Sequence, residues 1–279
     1  PSPLISEKQV SEKQVSEKQE PSLFKTAFSS TDVPSPVMFS VGDIELILSC
    51  PKKYHQRSLL QTLQSHGEES IDAFRMTAIR QGMMHHHAVS YWIRNKCTTE
   101  AAINATIDTL SPYKSDPIIQ DELHQTLSEF SNYNNQETTL TEWPFTLSIF
   151  AVNPSFLYRI SGRIDLVSIT DDTVTIIDIK TDQVDQKVLD NRVSHYRTQM
   201  LLYLMAVSEA YNRPLSKVTC QLYFTHCRSW KKIDFTASDI EDLTSKIQNI
   251  DLNKKSSRPA TKVCNTCPIY KVNPLCPEV

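Results

Sequence analysis

Two acidic side chains and a lysine lie at the ends of apolar segments, where buried charges are expensive. Residues 174–180 (VTIIDIK) have the short length and the β-branched content of a buried strand. Because side chains alternate between the faces of a strand, Asp178 and Lys180 are expected on one face, about 7 Å apart. A second carboxylate, Asp165, ends the preceding apolar segment. Since unpaired buried charges are costly, the pattern indicates either an inter-strand salt bridge or a site where two acids hold a hard divalent cation beside a cationic group.

The elements that must position these residues can be read from the periodicity of the apolar side chains. Helices are predicted for residues 41–60, with a break or bend at Pro51, and for residues 70–96, 117–131 and 199–211. A capping box, Ser238-x-x-Glu241, predicts the start of a further helix that runs to about Ile250. Strands are predicted for residues 140–150, 156–168, 173–180, 217–225 and 230–235. This order predicts an α/β fold with a central mixed sheet flanked by helices.

The spacing of the charged residues resembles that of a known family. The pattern D-x12-D-x-K, formed by Asp165, Asp178 and Lys180, resembles the PD-(D/E)XK nuclease superfamily. The wider form, which adds Gly162, Gln199 and Tyr203 as GxxD…DxKT…QxxxY, is similar to the RecB-like branch of that superfamily. The resemblance implies a restriction-endonuclease-like core and a metal-dependent nuclease that hydrolyses phosphodiester bonds in DNA.

The resemblance also implies roles for individual residues. The segment from Gly82 to His86 resembles a G-x-x-x-H helix start that supplies a metal-binding histidine, and His85 and His87 lie about 100° to either side of it on a helix. The implied ligands of Mg²⁺ or Mn²⁺ are His86, Asp165, Asp178 and the carbonyl of Ile179. Lys180 is expected to orient the attacking water or to stabilise the developing charge, with Gln199 and Tyr203 in support. Glu142 also resembles a recurring family feature, without an assigned role.

Four cysteines form a second candidate cofactor site. They resemble the CPxxY segment and the terminal cysteine cluster of the iron–sulfur members of the RecB-like branch, and they are Cys50, Cys264, Cys267 and Cys276. The resemblance implies a [4Fe–4S] cluster that joins the N-terminal and C-terminal segments of the domain. Structural zinc on the same thiolates is the alternative. The odd number of cysteines, seven, without an apolar signal segment favours reduced thiols and a cytoplasmic location.

The chain divides into a tail and one folded domain. Residues 1–36 contain a repeated SEKQV pentapeptide without an apolar face and predict a disordered tail. Residues 37–279 are predicted to form a single nuclease domain, in which segments 40–57 and 259–279 carry the iron–sulfur ligands.

Composition limits the function and the partners. With only four glycines, the chain contains neither a P-loop nor a dinucleotide-binding motif, so we expect no nucleotide cofactor, and any helicase motor lies on another polypeptide. No apolar run approaches the roughly 20 residues of a membrane span. The resemblance, which extends to the CRISPR-adaptation nuclease and to AddB-type repair nuclease domains, implies DNA as the partner, single-stranded or with free ends and cut exonucleolytically. The alternative is a catalytically silent DNA-binding or scaffolding subunit with a nuclease fold.

Overall fold

A computed structural model of the chain describes residues 35–51, 54, 69–110, 117–136, 138–152 and 156–250. Six strands are described: β1 (Ser35–Ser40), β2 (Thr139–Phe150), β3 (Phe156–Ile169), β4 (Val174–Lys180), β5 (Val218–Phe224) and β6 (Ser229–Ile233). The α-helices in the same ranges are α1 (Val41–Ser49), α2 (Glu69–Asn95), α3 (Thr99–Leu110), α4 (Pro117–Glu129), α5 (Ser131–Asn134), α6 (Leu189–His195), α7 (Arg197–Tyr211) and α8 (Ala237–Gln248). Short 3-10 turns at Gln186–Val188 and Leu215–Lys217 complete the set. None of the helices in these ranges is long and apolar enough to cross a membrane.

The strands form one mixed sheet in the order β1-β3-β4-β5-β6, with β2 paired to β3 outside this path. The pairs β1–β3 and β4–β5 are parallel, whereas β2–β3, β3–β4 and β5–β6 are antiparallel. The predicted α/β class with a mixed sheet flanked by helices is therefore confirmed.

The strand β3 shares one of its two edges between two partners. β2 occupies one edge and pairs with almost the whole length of β3, from Leu157 to Ser168. The other edge pairs with β1 up to Ser161 and with β4 from Leu166 onward. Residues 162–165 lie between these two ladders, so their backbone groups on that edge are available for side chains and other contacts. The sequence of this gap is Gly-Arg-Ile-Asp.

The helices cover both faces of the sheet with two separate apolar clusters. In the first cluster α1, α7 and α8 pack against one face of the sheet, with Ile44, Ile176, Leu202, Leu222 and Ile247. In the second cluster α2, α3 and α4 pack against the opposite face, with Val89, Ile103, Leu127, Ile177 and Ile179. Successive residues of β4 alternate between the two clusters, as the period of a strand requires. The face that carries Asp178 and Lys180 is therefore the one covered by α7.

Two helix starts are fixed by capping boxes. The α1 helix begins after Ser40, whose Oγ accepts from the Asp43 backbone N–H at 3.1 Å while the Asp43 carboxylate accepts from the Ser40 N–H at 2.9 Å. The α8 helix begins after Thr236, with Asp239 in the reciprocal position. The predicted capping box Ser238-x-x-Glu241 is therefore wrong, because the overlapping Thr236–Asp239 pair caps the same helix two residues earlier.

The elements that were not predicted include the strand β1 and the helix α3. The β1 strand includes Ser35 and Pro36, at the border that the sequence gives to the tail. The α3 helix was also missed, because its buried face consists of Ala102, Ile103, Thr106 and Ile107, in which small and polar residues weaken the apolar period. Most of the predicted tail and the cysteine segment 259–279 lie outside the described residues.

Candidate active site

The gap in β3 is where the candidate catalytic residues meet. The antiparallel ladder between β3 and β4 ends at the pair Leu166–Ile177, one residue before Asp165 and Asp178. Beyond that point the Ile179 backbone N–H has no strand partner on β3, and it donates instead to Asp165 Oδ2 at 2.7 Å. The two strands thus diverge at the two acids, and the first carboxylate replaces a ladder hydrogen bond.

Three side chains converge in front of this gap. His86 from α2, Glu142 from β2 and Asp165 from β3 each offer a ligand atom, and these atoms lie within 4.8 Å of one another. His86 Nδ1 lies 3.1 Å from Asp165 Oδ1. Burial alone would lower the pKa of His86, but the opposing charge of Asp165, with smaller contributions from Asp178 and Glu142, raises it. One imidazole and two carboxylates form a donor set that fits Mn²⁺ or Mg²⁺.

Glu142 reaches this group through an unusual backbone conformation. Its φ is +53°, in the left-handed region that non-glycine residues rarely adopt inside a strand. The β2–β3 register passes from Thr141–Leu166 to Trp143–Ile164, so Glu142 and Asp165 are left out of the pairing. Such a conformation costs on the order of 1–3 kcal/mol and is found preferentially at functional sites.

A second group of polar residues lies on the α7 side of β4. Asp178 is only 3% exposed, and its Oδ2 lies 2.6 Å from Lys180 Nζ. Gln199 links both, because its Oε1 accepts from Lys180 Nζ at 2.9 Å and its Nε2 donates to Asp178 Oδ1 at 3.2 Å. Burial raises the pKa of Asp178 to about 6, although Lys180 acts in the opposite direction. The lysine is therefore held at a fixed position beside the gap.

Tyr203 connects this network to the gap itself. Its hydroxyl accepts from Gln199 Nε2 at 2.7 Å and donates to the carbonyl of Arg163 at 3.0 Å. That carbonyl belongs to one of the gap residues, so a buried side chain from α7 satisfies a backbone group there. Burial raises the pKa of Tyr203 well above its ordinary value, and the hydroxyl stays protonated.

Lys180 has aromatic and acidic neighbours beyond Asp178 and Gln199. Its Nζ lies 4.1 Å from the centroid of the Tyr196 ring, a distance typical of a cation–π contact. The Tyr196 hydroxyl donates to Asp182 Oδ2, and the other oxygen of Asp182 is 2.6 Å from Arg192 Nη2. On α1, burial raises the pKa of Glu45, which Lys180 and the Gln199 backbone N–H lower again. Residues from α1, β4 and the start of α7 thus contribute to the surroundings of one ammonium group.

Two glycines of the sequence motifs allow elements to approach closely at this site. A Cβ on Gly82 would lie 2.8 Å from Thr181 Oγ1, so glycine lets α2 cross the end of β4. A Cβ on Gly162 would lie 2.7 Å from Phe145 Cε1 and 2.9 Å from Val41 Cγ2. Both distances are too short for an alanine without movement of the neighbours.

The structure brings the predicted residues together in two adjoining groups. His86 and Asp165 lie with Glu142, which the sequence had left without a role, whereas Asp178, Lys180, Gln199 and Tyr203 form the hydrogen-bonded network. The carbonyl of Ile179 belongs to the residue whose N–H binds Asp165. The neighbours of His86 point elsewhere: His85 Nδ1 is 3.0 Å from Thr126 Oγ1, and His87 Nδ1 is 2.9 Å from Thr106 Oγ1.

Of the four predicted cluster cysteines, only Cys50 is among the described residues. It is buried at the C-terminal end of α1, where its backbone N–H donates to the Leu46 carbonyl. Cys264, Cys267 and Cys276 lie outside the described residues.

The group formed by His86, Glu142 and Asp165 opens into a cleft of about 720 Å³. From these residues the cleft runs along α2 past His87, Tyr91 and Arg94, and Arg163 lies on its β3 side. Arg163 also forms an ion pair with Glu142, with 3.1 Å between Nη1 and Oε2. The candidate ligands are thus reachable from solvent, whereas Asp178 is not exposed to it.

One comparison with known proteins relates the chain to a family. The sequence profile of the PD-(D/E)XK nuclease superfamily matches residues 38–277 of the chain. No curated protein sequence matches it. A solved structure, "Crystal structure of SSO0001", is similar at 16% sequence identity and a TM-score of 0.42, with 86% of this chain and 87% of that chain covered. That likeness is too low to carry an argument about function.

Proposed function

Because this chain belongs to the PD-(D/E)XK nuclease superfamily, we propose that it is a metal-dependent deoxyribonuclease with its active site at the gap in β3. The superfamily supports the general activity, a nuclease that uses divalent metal ions. One observation carries the assignment to this site: a histidine and two carboxylates converge within 4.8 Å of one another, next to a lysine that is held by Asp178 and Gln199.

His86, Glu142 and Asp165 would hold Mg²⁺ or Mn²⁺, and Asp178 and the Ile179 carbonyl are the further ligands implied by the family pattern. A divalent cation in such a site supplies electrophilic stabilisation of the phosphate and activation of water. The imidazole favours Mn²⁺ more than an all-oxygen site would. The Ile179 N–H, bound to Asp165 Oδ2, leaves the other oxygen of that carboxylate directed towards His86.

Lys180 would act on the reacting phosphate and water. Its ammonium is positioned by Asp178 Oδ2 and Gln199 Oε1, so one of its three N–H donors remains for the water or a non-bridging phosphate oxygen. A donor fixed in advance at the place where negative charge develops lowers the barrier more than a mobile one. Gln199 and Tyr203 keep the lysine in place through their own hydrogen bonds.

The finer assignments extend this proposal. The order of the motifs supports the RecB-like branch and single-stranded DNA cut from a free end, in repair, recombination or CRISPR adaptation, with any helicase on a separate chain. Cys50, Cys264, Cys267 and Cys276 would bind a [4Fe–4S] cluster, for which structural zinc is the alternative. The part of the predicted tail before β1, residues 1–34, would be disordered next to a single nuclease domain.

The activity is tested by Mn²⁺-dependent digestion of end-labelled single-stranded DNA. Asp165→Ala and Asp178→Ala should each abolish cleavage, because each removes an acid from the site. The matched control is Asp172→Ala, which removes an exposed acid from the turn between β3 and β4 of the same sheet and should cleave like the unmodified protein. Cleavage by Asp178→Ala at the normal rate would refute this active site, and an inactive unmodified protein that still binds DNA would favour the silent scaffolding subunit.

A further inference from the structure

We propose that the part of the cleft that runs along α2 is a binding subsite for single-stranded nucleic acid, with Arg94 as its phosphate contact and Tyr91 as its base contact. This inference rests on the proposed function for the identity of the reaction at the other end of the cleft. It assigns residues that take no part in holding the metal ion or Lys180.

Among the described residues, Arg94 is a cation in the cleft without an acidic partner. It is exposed and lines the cleft, and it makes no ion pair with any residue in the described ranges. Its Nη2 donates to Ser90 Oγ at 3.2 Å and to Thr141 Oγ1 at 3.1 Å, and these two contacts fix the direction of the guanidinium. Arginine has five N–H donors, so the remaining ones are available to an anion. A fixed guanidinium with free donors is well suited to a phosphate group.

Tyr91 and His87 form a fixed aromatic pair on the same side of the cleft. Their ring centroids are 5.9 Å apart with an angle of 22° between the planes, and Thr106 holds the His87 ring through its Nδ1. Such an aromatic surface next to a guanidinium matches the way single-stranded nucleic acid is bound, by base stacking and phosphate contact together.

The dimensions of the cleft favour one strand over a duplex. Arg94 follows His86 by two turns of the same helix, about 12 Å along its axis, so the phosphate that it contacts is not the one beside the ligand group. The volume of about 720 Å³ lies within the range of roughly 300–1,000 Å³ found for small-ligand pockets. The exposed side chains of Ile79 and Met83 add apolar surface to the lining. Unpaired bases can use such surface, whereas the bases of a duplex are turned inward.

The test is equilibrium binding of a short fluorescein-labelled oligothymidylate to the full-length protein in EDTA, followed by anisotropy at several salt concentrations. For single strands the logarithm of the binding constant changes with that of the salt concentration by about 0.7 per phosphate contact. Arg94→Ala should therefore bind more weakly and lower this slope by about 0.7. Tyr91→Ala should bind several-fold more weakly with the slope unchanged, and Tyr91→Phe, which keeps the ring, should bind normally. A duplex of the same length should compete poorly.

Two control variants separate nucleic-acid contact from a structural role. Thr141→Val removes the tie between α2 and β2 but keeps the charge, so its salt slope should equal that of the unmodified protein. Arg159→Ala removes an exposed arginine from β3 outside the cleft, and it should also leave the slope unchanged. If Arg94→Ala keeps the normal slope, if Thr141→Val lowers it equally, or if the duplex competes as well as the single strand, the subsite assignment is wrong. If the subsite is refuted in this way but Asp178→Ala does not cleave, the proposed active site still holds. If Asp178→Ala cleaves normally but the salt slopes are as expected, only the active site is refuted.

Discussion

The buried pair of Asp178 and Lys180 allows a structural salt bridge to be separated from a catalytic one. Lys180→Met removes the ammonium that lies 2.6 Å from Asp178 Oδ2 and leaves a carboxylate whose side chain is only 4% exposed. Loss of one partner from a buried ion pair costs about 3–5 kcal/mol of unfolding free energy. Adding Asp178→Asn removes the stranded charge and keeps an acceptor for Gln199, so the double variant should recover most of that loss.

The pH dependence gives a second measure of the same effect. Burial raises the pKa of Asp178 in the folded protein above its unfolded value of 3.8, and without Lys180 it rises further. The folded state then binds the proton more tightly than the unfolded state, so the stability of Lys180→Met is lost as the pH rises. Below the raised folded pKa, acidification towards 3.8 should restore about 1.4 kcal/mol per pH unit, and the double variant should show no such recovery.

Urea unfolding in EDTA and DNA cleavage in Mn²⁺ measure the two roles separately. An exposed pair with the same separation of 2.6 Å, Lys246 and Asp242, serves as the control, and Lys246→Met should cost less than about 1 kcal/mol. We expect the Asp178→Asn, Lys180→Met double variant to regain stability without regaining cleavage. If the losses of unfolding free energy in the two single variants add up to the loss in the double variant, the pair is not coupled. Normal cleavage by Lys180→Met would refute the catalytic role of the lysine.

Three further predictions follow from neighbouring features. Burial lowers the pKa of His85 from 6.5 to about 4, so the unfolded state binds more protons between these two pH values and the free energy of unfolding falls with acidification. In His85→Gln about 3 kcal/mol of this fall should disappear, as measured by urea unfolding of both proteins at several pH values across that range. An equal pH dependence of stability in the two proteins would contradict this prediction. Gly82→Ala places a Cβ 2.8 Å from Thr181 Oγ1 and should reduce the rate of DNA cleavage more than the stability. The control is Gly42→Ala, whose Cβ would have its nearest neighbour at 3.8 Å; it should gain up to about 1 kcal/mol of unfolding free energy and cleave normally. Equal cleavage rates of the two variants would mean that the close approach of α2 to β4 is not required. Cys264→Ser should abolish the visible iron–sulfur absorption of anaerobically purified protein, and stoichiometric zinc without iron in the unmodified protein would exclude the cluster.

The alternation of side chains along a strand was sufficient to place Asp178 and Lys180 on one face. That inference needs only local geometry, and the contact of 2.6 Å agrees with it. The spacing Gly82-x-x-x-His86 also has a local cause, because Gly82 allows α2 to pass Thr181 and His86 follows one turn later. Local periodicity likewise predicted the long helix α2 and the strands β2 to β6.

Glu142 could not be placed by the same reasoning. Its position depends on a positive φ and on the absence of one pair, Glu142–Asp165, from an otherwise continuous β2–β3 ladder. A sequence pattern contains neither the backbone angle of a single residue nor the loss of a single strand pair. An acidic residue in the middle of an apolar strand was the available signal. Glu45 is a similar case, because its electrostatic interaction with Lys180 depends on how α1 lies beside β4.

The pairing of β1 with β3 has a consequence for the synthesis of the protein. Ser35 pairs with Phe156, so the ribosome must add about 120 further residues after β1, which takes on the order of 6–24 s at typical rates of 5–20 residues per second. During that time β1 has no strand to pair with, and the adjoining α1 helix has no sheet to cover. An unpaired strand is open to incorrect association, so the nascent chain is most exposed to chaperones and proteases before β3 is complete. The gap that carries Asp165 can form only after this delay, and the candidate active site is therefore assembled late in synthesis.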